Sequence, residues 1–313
     1  MMHFPNESEQ VAQVHQALGD HLGHADRLLR FWLKCEKDKW LDRSTLPGIV
    51  QDLAMLLNIQ ACRQFRSVIE ECRRSEGFCG SILSRSLFET VLAQQFTLSP
   101  AVCIVVAPEL DSAKKPKVDQ NGLTKYVAKV PPKRHKNVPA DWLSQEFRAW
   151  LYFAHAAFDD ERRATKVAGM KGRKRQGKVL QKKIDPKQQA SLEARIGVEW
   201  TYILRHGKGG YSGLSVADLC QVLHPQVFEW YKTIYDFQSG IVHAADALRH
   251  IDVSNGKARP AFYSPVNEIL GALQTAVSMF ITNIAFLQNE IGFGSCVETA
   301  YAAFVKEFTE LYA

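Results

Sequence analysis

The chain has 313 residues, 46% hydrophobic and 23% charged, with a net charge of +6, the composition of a globular protein able to bury a core. No apolar run approaches the roughly 18 residues of a membrane span, and the opening MMHFPNESEQ shows neither the basic start nor the apolar stretch of a secretory signal. The seven cysteines (Cys35, Cys62, Cys72, Cys79, Cys103, Cys220, Cys296) are scattered without a C-x-x-C pair, which argues against a disulfide framework or a thiolate zinc site and suits a reducing cytoplasm.

The charge is partitioned. Residues 111–138 contribute +6 and residues 161–190 contribute +9, so the rest of the chain sums to −9. Basicity confined to two segments on a mildly acidic body reads either as solvated loops or as an electrostatic site for phosphate backbones.

In chain order, Val11, Val14, Leu18, Leu22 and Leu29 have the spacing of a long amphipathic helix over 8–37. Pro47 opens a second helix running to about Arg74. Gly77 and Gly80 are expected to break the chain before a third, SILSRSLFETVLAQQFTL, which is apolar on nearly every side and therefore expected to be central. AVCIVVA and LTKYVAKV are short β-like runs separated by KKPKVDQNG, where Asn121-Gly122 signals the turn of a small hairpin. Pro139 precedes a helix over 140–163, and KVAGMKGRKRQGKVLQKK reads as a basic, glycine-punctuated loop. A helix over 186–206 ends at HGKGGYSG, and Ser215 with Asp218 forms a capping box for VADLCQVL. Pro225 permits another helix, Asn255-Gly256 and Pro260 interrupt the chain, and 265–291 and 295–312 close it. No internal repeat is visible. The expected fold is mainly α, a multi-helix bundle with a small β-like hairpin and basic loops inserted in its middle. Residues 1–100 and 141–313 would complete one bundle, residues 101–140 form the irregular basic insertion, and 161–190 form a basic loop.

The stretch YDFQSGIVHAADALRH (235–250) carries the most informative pattern. Tyr235, Ser239, His243, Asp246 and His250 fall within roughly 80° of one helix face at about 100° per residue, and no Lys or Glu fills that face. In the third helix, Arg85 and Glu89 sit four apart among apolar neighbours, so they should pair with each other or with polar groups on a neighbouring helix. The alternatives are a buried network that fixes helix register and a functional pocket.

SRSLFET (84–90) and the later YDFQSGIVH (235–243) resemble a bacterial helical domain-of-unknown-function family with an R-S-x-x-E helix followed by a Y-x-x-x-S-x-x-V-H helix. The resemblance implies a site of Arg85, Glu89, Tyr235, Ser239 and His243. It also implies a distant similarity to HEPN-type helical proteins, many of them toxin or phage-defence ribonucleases with an R-x(4–6)-H motif. Arg148 and His155 match that motif and share a helix face. In such metal-independent RNA cleavage, a histidine moves the proton and an arginine stabilises phosphorane charge; His243 with Arg85, or His155 with Arg148, would fill those roles.

Three other chemistries fit the sequence less well. His243, Asp246 and His250 with Glu89 could offer two imidazoles and a carboxylate, but bundle metal sites draw repeated carboxylate–histidine pairs from several helices, so no metal or cofactor is expected. A Ser239–His243–Asp246 hydrolase is disfavoured because one straight helix does not aim three side chains in series. No glycine stretch fits a phosphate loop. Lys171, Arg173, Lys174, Arg175, Lys178, Lys182 and Lys183 would neutralise phosphates without reading bases, with Tyr126 and Trp142 near enough in sequence to stack on them. The expectation is a cytoplasmic, nucleic-acid-directed defence or toxin-like effector with ribonuclease activity, RNA its partner, no membrane, and a homodimer among its allowed assemblies. The alternative is a non-catalytic nucleic-acid-binding or scaffold protein whose buried polar network is architectural.

Overall fold

The computed structural model describes residues 7–37, 46–100, 102–131, 142–169, 186–207, 209–223, 225–232, 251–254, 257–260, 266–292 and 295–312. The protein is mainly α, a multi-helix architecture with small hairpins, as the sequence periodicity implies. Among the described residues the helices are α1 (Glu7–Lys37), α2 (Gly48–Arg73), α3 (Gly77–Leu98), α4 (Gln145–Gly169), α5 (Pro186–His206), α6 (Val216–Leu223), α7 (Pro225–Trp230), α8 (Val266–Ile291) and α9 (Ser295–Tyr312). The strands form antiparallel pairs: β1 (Val102–Cys103) with β4 (Trp142–Leu143), β2 (Val105–Pro108) with β3 (Tyr126–Lys129), and β5 (Ile251–Ser254) with β6 (Lys257–Pro260). The chain divides into two compact units, one comprising Met1–Leu46, Ala54–Gln95 and Glu229–Ala313, the other Pro47–Leu53 and Phe96–Phe228.

In the first unit α8 contributes eleven buried positions, among them Leu273, Val277, Phe280 and Leu287. By length and composition it could cross a bilayer, although no uninterrupted apolar run foretells this; 56% of its most apolar stretch is buried within the protein. Phe280 stacks on Phe65 of α2 at 4.3 Å. α1 lies along α8 and α9, and its buried Trp32 donates from Nε1 to Asn58 Oδ1 at 3.0 Å. The expected break at Gly77 and Gly80 falls earlier. α2 ends in a Schellman turn, with Glu76 N–H donating to Glu71 O, Ser75 N–H to Cys72 O, and Ser75 left-handed at φ 68°. Gly80 lies inside α3 for a packing reason: a Cβ there would meet Cys72 Sγ at 3.2 Å and Ala272 Cβ at 3.3 Å. One turn on, the buried Ser84 hydroxyl lies 2.9 Å from Gly80 O and 3.1 Å from Ala272 O.

The second unit packs α4 on α5 around Leu151, Phe158, Ile203 and Leu204. α4 starts later than Pro139 suggests, because Trp142 and Leu143 pair with β1 and Ser144 caps the helix, its Oγ accepting from Phe147 N–H at 3.1 Å. α4 then continues to Gly169, so residues 166–169 are helical rather than part of a loop. α5 is interrupted at Gly197 (φ 79°, ψ 167°), backbone that is almost exclusive to glycine. One half of the expected capping box is present, Ser215 Oγ accepting from Asp218 N–H at 3.2 Å; the Asp218 carboxylate accepts from the Ser215 hydroxyl at 2.7 Å rather than from its backbone N–H.

The hairpin expected between 100 and 140 is more elaborate than one turn. From Asp111 and from Asp119 the chain makes the same five-residue reversal. In each, the aspartate Oδ1 accepts two backbone N–H bonds, from Ala113 and Lys115 or from Asn121 and Leu123. The fourth residue is left-handed in both, Lys114 at φ 62° and Gly122 at φ 80°. Between the reversals three chain segments meet at one level. Glu109 N–H donates to Lys125 O, Lys125 N–H to Lys117 O, and Lys117 N–H to Glu109 O. Glu109, Lys117 and Lys125 thus form a closed ring of backbone hydrogen bonds at an interval of eight residues. An eight-residue structural repeat is present where the sequence shows none by inspection. β5 and β6, which flank Asn255-Gly256, are a further hairpin where only an interruption was expected.

Candidate nucleic-acid interface

Arg85 and Glu89 form an i, i+4 ion pair on α3, Nε to Oε1 at 3.4 Å. Leu87, Phe88, Val91 and Leu92 beside them are buried, as expected of a central helix. The pair itself is not enclosed. The Arg85 side chain is 21% exposed and that of Glu89 48%, a correction to the expectation that apolar neighbours leave the pair little solvent-facing arc. Ile82, Ser86 and Glu89 form a partly open strip along the helix. Tyr235, Ser239 and His243, with Asp246 and His250, lie outside the described residues.

Arg148 is fully buried. Its Nη1 donates to Leu143 O at 2.7 Å and its Nη2 to Thr97 O at 3.3 Å and to Ser99 O; the guanidinium also lies over the Phe96 ring, 5.8 Å from its centroid. These carbonyls are the loose ends of α3 and of β4, so the arginine ties the end of one helix to the start of another. His155, seven residues on, is half-buried, its ring 6.4 Å from Tyr211. Burial, aided by the nearby Arg162 cation, holds its imidazole below the ordinary histidine value and so favours the neutral form. The R-x6-H pair therefore contains one guanidinium committed to backbone carbonyls and one imidazole in an aromatic setting.

Of the basic residues that the structure places, Arg162, Lys166 and Arg205 meet at the far end of α4 and α5. A cleft of about 470 Å³ is lined by Glu161, Arg162, Thr165, Lys166, Arg205 and His206. Arg162 donates to Leu204 O at 3.3 Å and pairs with Asp159 at 3.1 Å; Arg163 takes the other Asp159 oxygen at 2.6 Å; Arg205 faces Glu161 at 3.6 Å and lies over the Phe158 ring. Lys166 has no carboxylate at ion-pair distance among the described residues. The β2–β3 ribbon adjoins α5. Tyr126 of β3 meets Tyr202 edge-on at 6.2 Å, and Tyr202 lies 4.8 Å from His206, one turn on. Lys117 pairs with Glu109 at 2.6 Å, which draws that carboxyl below its usual range, and backbone N–H bonds led by that of Leu123 do the same for Asp119. Burial raises the Tyr202 phenol, helped by the nearby Asp119 and Glu109.

No protein-family model, curated protein or solved structure matches this chain. Among the described residues, no three His, Cys, Asp or Glu converge as metal ligands. Burial pushes the thiols of Cys72 and Cys220 up to about 12, which keeps them protonated and unreactive at neutral pH.

The predicted phosphate-binding set, Lys171, Arg173, Lys174, Arg175, Lys178, Lys182 and Lys183, lies outside the described residues. Trp142, expected to stack, is 64% exposed on β4. Tyr202 and His206 were not foreseen. Their signal was an i, i+4 aromatic pair in the last turn of a helix that also carries Arg205, a pattern easily taken for the usual basic C-terminus.

Proposed function

We propose that this protein binds nucleic acid, RNA foremost, on the basic face of its second unit, and that it acts in the cytoplasm. The observation that carries the reading is the convergence of Arg162, Lys166, Arg205 and His206 on one cleft at the end of α4. Seven Lys/Arg follow within residues 170–185 by sequence. Phosphates are held by such cations without any demand on base identity.

The test is an affinity titration with labelled RNA at rising salt. Binding should weaken steeply, roughly as −0.7 per phosphate contact on logarithmic axes for a single strand. Neutralising Lys171, Arg173, Lys174 and Arg175 together should shallow that slope. Salt-independent binding, or none, overturns the reading.

A second reading, a ribonuclease effector of toxin or defence type, is favoured by the solvent-reachable Arg85–Glu89 pair. There Arg85 would stabilise phosphorane charge and His243 would move the proton. Cleavage of RNA in EDTA that vanishes in His243→Ala supports it; cleavage that survives in His243→Ala and Arg85→Ala removes it.

A further inference from the structure

We propose that Tyr126, Tyr202 and His206 form a stacking platform that makes the basic face selective for single-stranded over duplex nucleic acid. The inference rests on the binding reading above and adds the class of strand that is taken.

Tyr202 and His206 are four apart in the last turn of α5, so their rings share a face, with centroids 4.8 Å apart and planes tilted by 43°. Tyr126 extends the row from the ribbon, meeting Tyr202 at 6.2 Å and 69°. His206 is exposed and both tyrosines are half-exposed. Cations border the row at its His206 end, where Arg205, Arg162 and Lys166 line the same cleft.

The carboxylates nearest the row are engaged. Glu109 pairs with Lys117, Asp119 Oδ1 accepts two backbone N–H bonds, and Glu161 faces Arg205. Part-exposed aromatic rings next to a basic cleft suit bases that are already unstacked, since every base has a π-face and the cations follow the backbone. A duplex keeps its bases stacked inside and can offer this row only phosphates.

The experiment compares the full chain and its variants against a short labelled oligouridine and a duplex RNA of equal length, at fixed low ionic strength. The wild-type protein should hold the single strand at least about tenfold more tightly than the duplex. Tyr202→Leu should remove about tenfold from single-strand affinity, the effect of one lost stack, and leave duplex affinity within about twofold. Tyr202→Phe should behave as wild type, which also separates the ring's role from any folding defect in the leucine variant. Equal losses on both ligands in Tyr202→Leu, with Tyr202→Phe intact, would make the ring architectural and overturn the proposal. A duplex bound as tightly as the single strand overturns it as well, while leaving nucleic-acid binding standing. Binding of neither ligand removes both readings together.

Discussion

Arg148 Nη1 donates to Leu143 O at 2.7 Å, across the turn that begins α4. With Thr97 and Ser99 also accepting from this guanidinium, one buried side chain holds three backbone carbonyls. Its loss would leave those carbonyls unsatisfied in the interior, each at a cost of about 1–3 kcal/mol, less whatever water recovers.

Arg148→Met should therefore lower stability in urea by about 3–5 kcal/mol. Arg148→Lys should do little better, because an ammonium lacks the planar fork. RNA affinity of the protein that remains folded should be unchanged. Full stability together with lost RNA cleavage would instead return Arg148 to a catalytic role.

The Arg85–Glu89 pair should behave in the opposite way. It is a partly exposed i, i+4 pair, so Glu89→Gln should change stability by less than about 1 kcal/mol. If the ribonuclease reading holds, the same change reduces cleavage without moving the melting temperature. A loss above about 3 kcal/mol would contradict the half-open setting described for this pair.

Ser75 is strained in a way that glycine relieves. Its φ of 68° brings its Cβ against its own backbone, and its buried hydroxyl has no hydrogen-bond partner among the described residues. Ser75→Gly should raise stability by about 1 kcal/mol, the usual gain when a left-handed helix terminus receives glycine, net of the added freedom of the unfolded chain. A lower melting temperature would mean that the hydroxyl has an unrecognised role.

Acid should weaken the fold through His24. Burial holds its imidazole below the ordinary value of 6.5, and its Nε2 faces Phe304 O at 3.2 Å as a neutral donor; His155 is shifted the same way. Because the unfolded chain takes up these protons at higher pH than the folded chain, stability is full above about 6.5 and is lost as pH falls below it. His24→Gln keeps a donor for Phe304 O and removes the titration, so its melting temperature should fall less between neutral pH and mild acid. An acid limb identical to wild type would assign the effect elsewhere.

Helix positions were readable because apolar residues at Val14, Leu18, Leu22 and Leu29 repeat with the helical period, and each of these four is buried. Caps were readable where one short side chain does the work, as at Ser215 and Asp218. What sequence could not convey was contact between distant residues. Gly80 looks like a breaker until Cys72 and Ala272 are seen pressing on it. Arg148 looks like half of a catalytic motif until three carbonyls surround its guanidinium. The eight-residue repeat at 109–125 escaped notice because its copies share a backbone path and an aspartate, with lysine at the left-handed position of one and glycine in the other. Glu89 looked enclosed because helical-wheel reasoning counts neighbours on its own helix and not where packing stops.

The ring closed by Glu109, Lys117 and Lys125 leaves none of these residues with an unpaired backbone N–H or C=O. A ribbon so sealed offers a foreign strand no template to extend at that level, even though Leu110, Val118 and Leu123 show their side chains to water nearby. Since main-chain groups close the ring and Asp111 and Asp119 hold the reversals beside it, lysine side chains that take no part in either can be exchanged without opening it, which makes this small module a natural place to retune what the surface recognises.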